Sequence, residues 1–165
     1  TVLLRSDGRA VACGRNRFGQ CDLPDLEPEM SYAQIAAGNA ETVLLRSDGR
    51  AVTCGFGSAG TCDSEPEASY SQVAAGGAHV VLLRSDGHAV AYGRNEFGQC
   101  DVPALEFGAR YVHVAAGFLN TVLLRHDGRV VACGSNSEGQ CDLPDPESGA
   151  MYRGNETMRG RVRCH

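Results

Sequence analysis

A chain that repeats itself every 40 residues or so has few folds open to it. Leu3-Leu4-Arg5-Ser6-Asp7-Gly8 returns at Leu44 to Gly49, at Leu82 to Gly87, and as Leu123-Leu124-Arg125-His126-Asp127-Gly128, in steps of 41, 38 and 41 residues. A glycine-rich block follows each copy. The first is Cys13-Gly14-Arg15-Asn16-Arg17-Phe18-Gly19-Gln20-Cys21-Asp22, with counterparts from Cys54, Tyr92 and Cys133. A third block, Tyr32-Ala33-Gln34-Ile35-Ala36-Ala37-Gly38, recurs from Tyr70 and Tyr111. Residues 1–152 thus hold about 3.7 copies of one unit.

Each unit reads as β-structure. Val43-Leu44-Leu45 and Ala51-Val52-Thr53 flank Asp48-Gly49. Asp-Gly between short apolar runs signals a hairpin, with φ > 0 expected at both turn residues. The strands are apolar on both faces, as in sheets buried on both sides. Ile35-Ala36-Ala37 adds another short strand whose small residues suit close packing. Tight turns also explain 21 glycines in 165 residues, against a usual level of about 7 %. Helical repeats of this period need long helical patterns, and none is visible. A WD-type propeller needs tryptophan, and there is none.

The pairing of Leu-Leu-Arg-Ser-Asp-Gly with Gly-x-Asn-x-x-Gly-Gln, closed by Ala-Ala-Gly, resembles the regulator of chromosome condensation repeat. The resemblance covers residues 1–152 and implies an all-β fold, a partial or open β-propeller of about four blades. Family members usually have seven blades, which would need roughly 280 residues. The repeats start mid-unit at Thr1 and break off after Tyr152, where Arg153-Gly154-Asn155-Glu156-Thr157 replaces the next Ala-Ala-Gly strand. The expectation is a processed chain or fragment forming an open arc. Its blade edges would be covered by protein partners, by a second copy or by further repeats, because exposed edges aggregate and end repeats need caps.

Charge narrows the partners. All 15 basic residues are arginine, and with 20 acidic residues the net charge is -5, which argues against nucleic acid. Segment 153–165 carries Arg153, Arg159, Arg161 and Arg163 against one glutamate, net +3, leaving 1–152 with 11 arginines against 19 acids, net -8. The tail reads either as a solvated end or as a basic arm for an anionic neighbour. No apolar run approaches the roughly 18 residues of a membrane span.

Eight cysteines lie at 13, 21, 54, 62, 100, 133, 141 and 164. Three units carry a pair eight residues apart across the glycine-rich turn; Tyr92 replaces the first member in the third, leaving Cys100 alone. Bridges across each turn and buried thiols are both open, with buried thiols preferred because Cys100 persists without Cys at 92. No zinc spacing occurs, so no metal or cofactor is expected. Asn155-Glu156-Thr157 is a glycosylation sequon that counts only in a secreted chain.

No catalytic constellation emerges, and no enzymatic activity is expected. Arg5, Arg46, Arg84 and Arg125 would stack in register and meet local carboxylates. The Asn and Gln of Gly-x-Asn-x-x-Gly-Gln would satisfy loop backbone groups. Positions that differ between units point to contacts. Phe18, Phe97, Phe118 and Leu119 read either as buried loop anchors or as contacts; the in-register trio Glu41, His79 and Asn120 varies likewise, His79 also fitting a structural hydrogen bond, and the four tail arginines are contact candidates by charge. The expected function is a non-enzymatic protein-binding scaffold or accessory subunit. The resemblance also implies an alternative, a regulator of a small GTPase of the guanine nucleotide exchange factor kind. A third class is a thiol-redox or metal protein.

Overall fold

The computed structural model describes residues 1–56, 60–61, 68–144 and 152, and every regular element among them is a β-strand. The first unit forms a two-stranded sheet, β1 (Val2–Leu4) and β2 (Ala10–Ala12). The second forms β3 (Tyr32–Ala37), β4 (Glu41–Arg46), β5 (Ala51–Gly55) and a two-residue β6 (Gly60–Thr61). The third forms β7 (Tyr70–Ala75), β8 (His79–Arg84) and β9 (Ala89–Gly93). The fourth forms β10 (Tyr111–Ala116), β11 (Asn120–Arg125) and β12 (Val130–Gly134). Sequential strands pair antiparallel, so each unit is one meandering blade, and the four blades make an open propeller arc.

Side-chain parity decides how blades stack. Alternate residues of a strand point to opposite faces. Val43, Leu45 and Ala51 therefore pack forward onto Tyr70, Val73, Val80 and Leu82 of the third unit. Leu44 and Val52 point backward, onto Ala10, Leu23 and Leu26 of the first. Val81 and Leu83 repeat the forward contact on Tyr111, Val114 and Leu123. Both faces of β4 and β8 are thus buried, which is why neither alternates apolar with polar. Leu3 and Val11 hold the positions of Leu44 and Val52, yet stand 57 % and 45 % exposed. No sheet among the described residues covers their face of the first blade.

Backbone links fasten each blade to the one before. Tyr32, Tyr70 and Tyr111 donate their N–H groups to the carbonyls of Gly8, Gly49 and Gly87, each at 2.7 Å. Tyr152 reaches Gly128 in the same way at 3.3 Å. The Tyr32 and Tyr111 hydroxyls donate to the Pro24 and Pro103 carbonyls at 2.9 and 2.8 Å.

The Asp-Gly hairpins form, with a different turn from the one expected. Gly8, Gly49, Gly87 and Gly128 have φ between 76° and 89°, whereas the Asp before each keeps a negative φ. Gly49 N–H donates to the Arg46 carbonyl at 3.0 Å, and Arg46 N–H to the Arg50 carbonyl at 2.8 Å. That is a three-residue loop in which only the glycine is left-handed. The Asp48 side chain accepts from Arg50 N–H at 3.1 Å and locks it.

A Cβ on Gly49 would lie 2.3 Å from Ser69 Oγ, at φ +84°. Gly108 has a similar φ, +79°, and open space around it. Gly49→Ala should therefore cost more than Gly108→Ala, which carries only the backbone strain of about 1 kcal/mol. Urea unfolding of the two variants measures the difference; equal losses would show that the Ser69 contact is harmless.

Candidate interaction surface

The glycine-rich block folds into a turn that presents its tip residue. Asn16 Oδ1 accepts from Cys21 N–H at 2.8 Å, and its Nδ2 donates to Asp22 at 2.7 Å. Gln20 Oε1 accepts from Phe18 N–H at 3.0 Å. The same three bonds recur in the third unit from Asn95 and Gln99, and in the fourth from Asn136 and Gln140. The expected role of these amides is thus observed. In the second unit, residues 57–59 and the turn beyond Thr61 lie outside the described residues.

Strand direction puts the described turns at one end of their blades. The β3–β4 type of loop shares that end with the turn after the third strand, while the Asp-Gly hairpins lie at the other. The turn end collects Phe18, Phe97 and Phe118, exposed by 42, 50 and 67 %. Phe56, 51 % exposed, joins them. Its ring meets Phe18 edge-on across two blades, with centroids 5.2 Å apart, and Arg17 lies 5.7 Å from the Phe18 centroid. The sequence reading missed Phe56 because it stands where the other units have Arg15, Arg94 and Ser135, outside the turn tip. Leu119 is half-buried.

The hairpin end differs in character. Arg5, Arg46, Arg84 and Arg125 each pair with the Asp two residues on, at 2.7–2.9 Å. These arginines are thus paired with carboxylates of their own turns. Phe107, fully exposed, lies in the loop leading into β10 on this side.

Glu41 and His79 correct the candidate list. They are 4 % and 0 % exposed, so neither lies open to a partner, and Asn120 is half-buried. Glu41 and His79 sit between blades. His79 Nε2 meets Thr121 Oγ1 at 3.0 Å, and that hydroxyl donates to the Gln99 carbonyl at 2.7 Å. Thr42 makes the same bond to the Gln20 carbonyl at 2.8 Å. Burial holds His79 below the usual imidazole range and pushes the Glu41 carboxyl up to about 7. Val80 stands at the repeat position of Thr121, so Glu41 lacks the hydroxyl that meets His79 one blade on.

The six described cysteines are free thiols: Cys54 is buried, Cys13 exposed and the rest between. The two cysteines of one unit serve different turns. Cys21, Cys100 and Cys141 donate within their own turns, to the carbonyls of Arg15, Arg94 and Ser135 at 3.3–3.5 Å. Cys54 and Cys133 instead reach the preceding unit's turn, at the Gln20 and Gln99 carbonyls, 3.6 and 3.7 Å away. Among the described residues, no three metal-ligating side chains converge, and no helix is long and apolar enough to cross a membrane. Cys62, Cys164, the sequon and Arg153, Arg159, Arg161 and Arg163 lie outside the described residues.

Consecutive antiparallel blades clamped through their turns define a β-propeller repeat protein. The family model of the regulator of chromosome condensation (RCC1) repeat matches residues 70–99 and 111–140, so the third and fourth units are repeats of that kind. Among solved structures, Prp20p of Saccharomyces cerevisiae aligns with a TM-score of 0.71 at 20 % identity, over 92 % of this chain and 46 % of that one. Human WBSCR16 gives 0.62 at 19 % identity, over 76 % and 42 %. The ectodomain of the Arabidopsis thaliana receptor kinase ACR4 gives 0.64 at 18 %, over 82 % and 52 %. The chain thus spans about half the length of these proteins, and at such identities the likeness is one of fold. No curated protein sequence matches it.

Proposed function

We propose that the chain is a non-enzymatic protein-binding scaffold or accessory subunit that engages its partner through the turn end of the arc. The observation that carries this reading is the set Phe18, Phe56, Phe97 and Phe118, all 42–67 % exposed at one end of consecutive blades. Aromatic groups held on rigid turns bind at low entropic cost and dominate interfaces. Arg17, beside Phe18, adds a cation at the same end. The bare face of the first blade, with Leu3 and Val11, is a second contact, suited to a neighbouring blade or a second copy. The basic segment 153–165 would add charge toward an anionic neighbour.

Affinity capture from cells with the wild-type chain and a Phe18→Ala/Phe97→Ala/Phe118→Ala variant tests the reading. The triple variant should lose its partners, since each such anchor is worth about 2 kcal/mol or more. Phe107→Ala, at the opposite end, should retain them. Partners lost only in the Phe107 variant would place the contact on the other end.

Prp20p has binding properties toward Gsp1p and histones. Together with the family resemblance, which implies regulation of a small GTPase in the manner of an exchange factor, it motivates a second reading. Faster nucleotide release from a GTPase panel in the presence of the purified chain would favour it over a scaffold.

A further inference from the structure

The cysteines pair across blades rather than within units, and we propose that Cys21–Cys54 and Cys100–Cys133 are two inter-blade dithiol sites that close to disulfides. Cys54 Sγ lies 3.6 Å from the Gln20 carbonyl oxygen. That oxygen belongs to the planar peptide unit whose nitrogen is that of Cys21. One thiol therefore rests on this peptide unit, and the other hangs from the next Cα. The fourth blade repeats the arrangement, with Cys133 Sγ 3.7 Å from the carbonyl of Gln99, the residue before Cys100. A Cys21 thiolate raises Cys54 and a Cys133 thiolate raises Cys100, while Cys141 acts on Cys133 in the same sense, so the carbonyl contacts rather than the charges single out the cross-blade pairs. Two independent copies of one juxtaposition, each 33 residues apart in sequence, make the pairing a property of the repeat.

The same rule accounts for the irregularity that within-unit pairing left unexplained. The first cysteine of the third unit is replaced by Tyr92. In a cross-blade scheme position 92 is not the partner of Cys100, so Cys100 keeps its own partner at Cys133. Its persistence then follows from the geometry.

Closure is a two-electron oxidation. Two S–H bonds break, one S–S bond forms, and two protons and two electrons pass to an azo or disulfide oxidant, such as diamide or oxidised glutathione. Cys21 must turn from the Arg15 carbonyl, to which it now donates at 3.5 Å. The attacking species is the thiolate. Burial pushes Cys54, Cys100 and Cys133 up to about 11, so closure of both pairs should quicken as pH rises.

The test is diamide treatment of the folded full chain, trapping with N-ethylmaleimide, and mass spectrometry of a non-reduced digest. The expected result is two linked peptide pairs, Cys21–Cys54 and Cys100–Cys133, with Cys13 alkylated. Cys54→Ser should abolish only the first link and leave Cys21 alkylated. Cys21→Ser, whose hydroxyl can still donate to the Arg15 carbonyl, should do the same to Cys54. The oxidised wild type should also unfold at higher urea than the reduced chain, a difference diminished in both variants. Links Cys13–Cys21 or Cys133–Cys141, or no links while the chain stays folded, would overturn the proposal.

Discussion

Glu41→Gln is expected to stabilise the chain above pH 8 by on the order of 3 kcal/mol, and to do almost nothing at pH 4. The sign follows from burial. The carboxyl sits between blades at 4 % exposure, and its pKa rises from the usual 4.5 to about 7. The folded chain therefore binds this proton more tightly than the unfolded chain. The stabilisation is fully present below about pH 4.5 and lost as pH rises through 7, at about 1.4 kcal/mol for each pH unit. Above that range the wild type carries a buried carboxylate facing the third blade, where Val80 stands in place of a threonine. His79 acts in the opposite sense. Its lowered pKa gives stability that is present above the ordinary imidazole range and lost as pH falls through it. Urea midpoints at pH 4, 6 and 8 measure the effect. A Glu41→Gln gain that is equal at all three values would mean that charge is not its source.

Leu82→Ala should cost about 3 kcal/mol, whereas Leu3→Ala, at the same repeat position, should stay within about 0.5 kcal/mol of wild type. Leu82 is fully buried in the forward-packed cluster with Val43, Leu45 and Val73, and truncation leaves a cavity there. Leu3 is 57 % exposed and has little to lose. Denaturant melts of the two variants read the difference directly. If a partner or second copy covers the first blade, adding it should raise the cost of Leu3→Ala toward that of Leu82→Ala. Comparable losses in the free monomer would contradict the exposure of that face.

Much of this architecture was legible in the sequence, because repetition supplies its own comparison. The Leu-Leu-Arg strand, the Asp-Gly hairpin and the Gly-x-Asn-x-x-Gly-Gln turn each recur in register, and each folds where its chemistry directs. The handedness of the Asp was misread, since Asp-Gly suits both a two-residue turn and a three-residue loop. Only the bonds of Gly49 and Arg50 distinguish them. The contact set was harder to read. Variation between units marks Glu41, His79 and Phe97 alike, yet two of these lie inside. A position can differ because a partner needs it, or because the blade beside it differs. His79 faces Thr121 while Glu41 lies against a blade bearing Val80, so this variation is an internal matching of neighbours. Phe56 escaped notice for the converse reason: it reaches the Phe18 ring from a different repeat position.

The bonds from Tyr32 to Gly8, Tyr70 to Gly49 and Tyr111 to Gly87 run in one direction along the chain. The accepting carbonyl always lies at a hairpin made some twenty residues earlier. As the chain leaves the ribosome, each hairpin is therefore available before the tyrosine that docks on it. Growth from the first blade to the fourth needs no rearrangement of what is already folded, whereas growth in the reverse sense would leave each tyrosine waiting for its acceptor. A nick in a hairpin should accordingly loosen the blade that follows it more than the one to which it belongs.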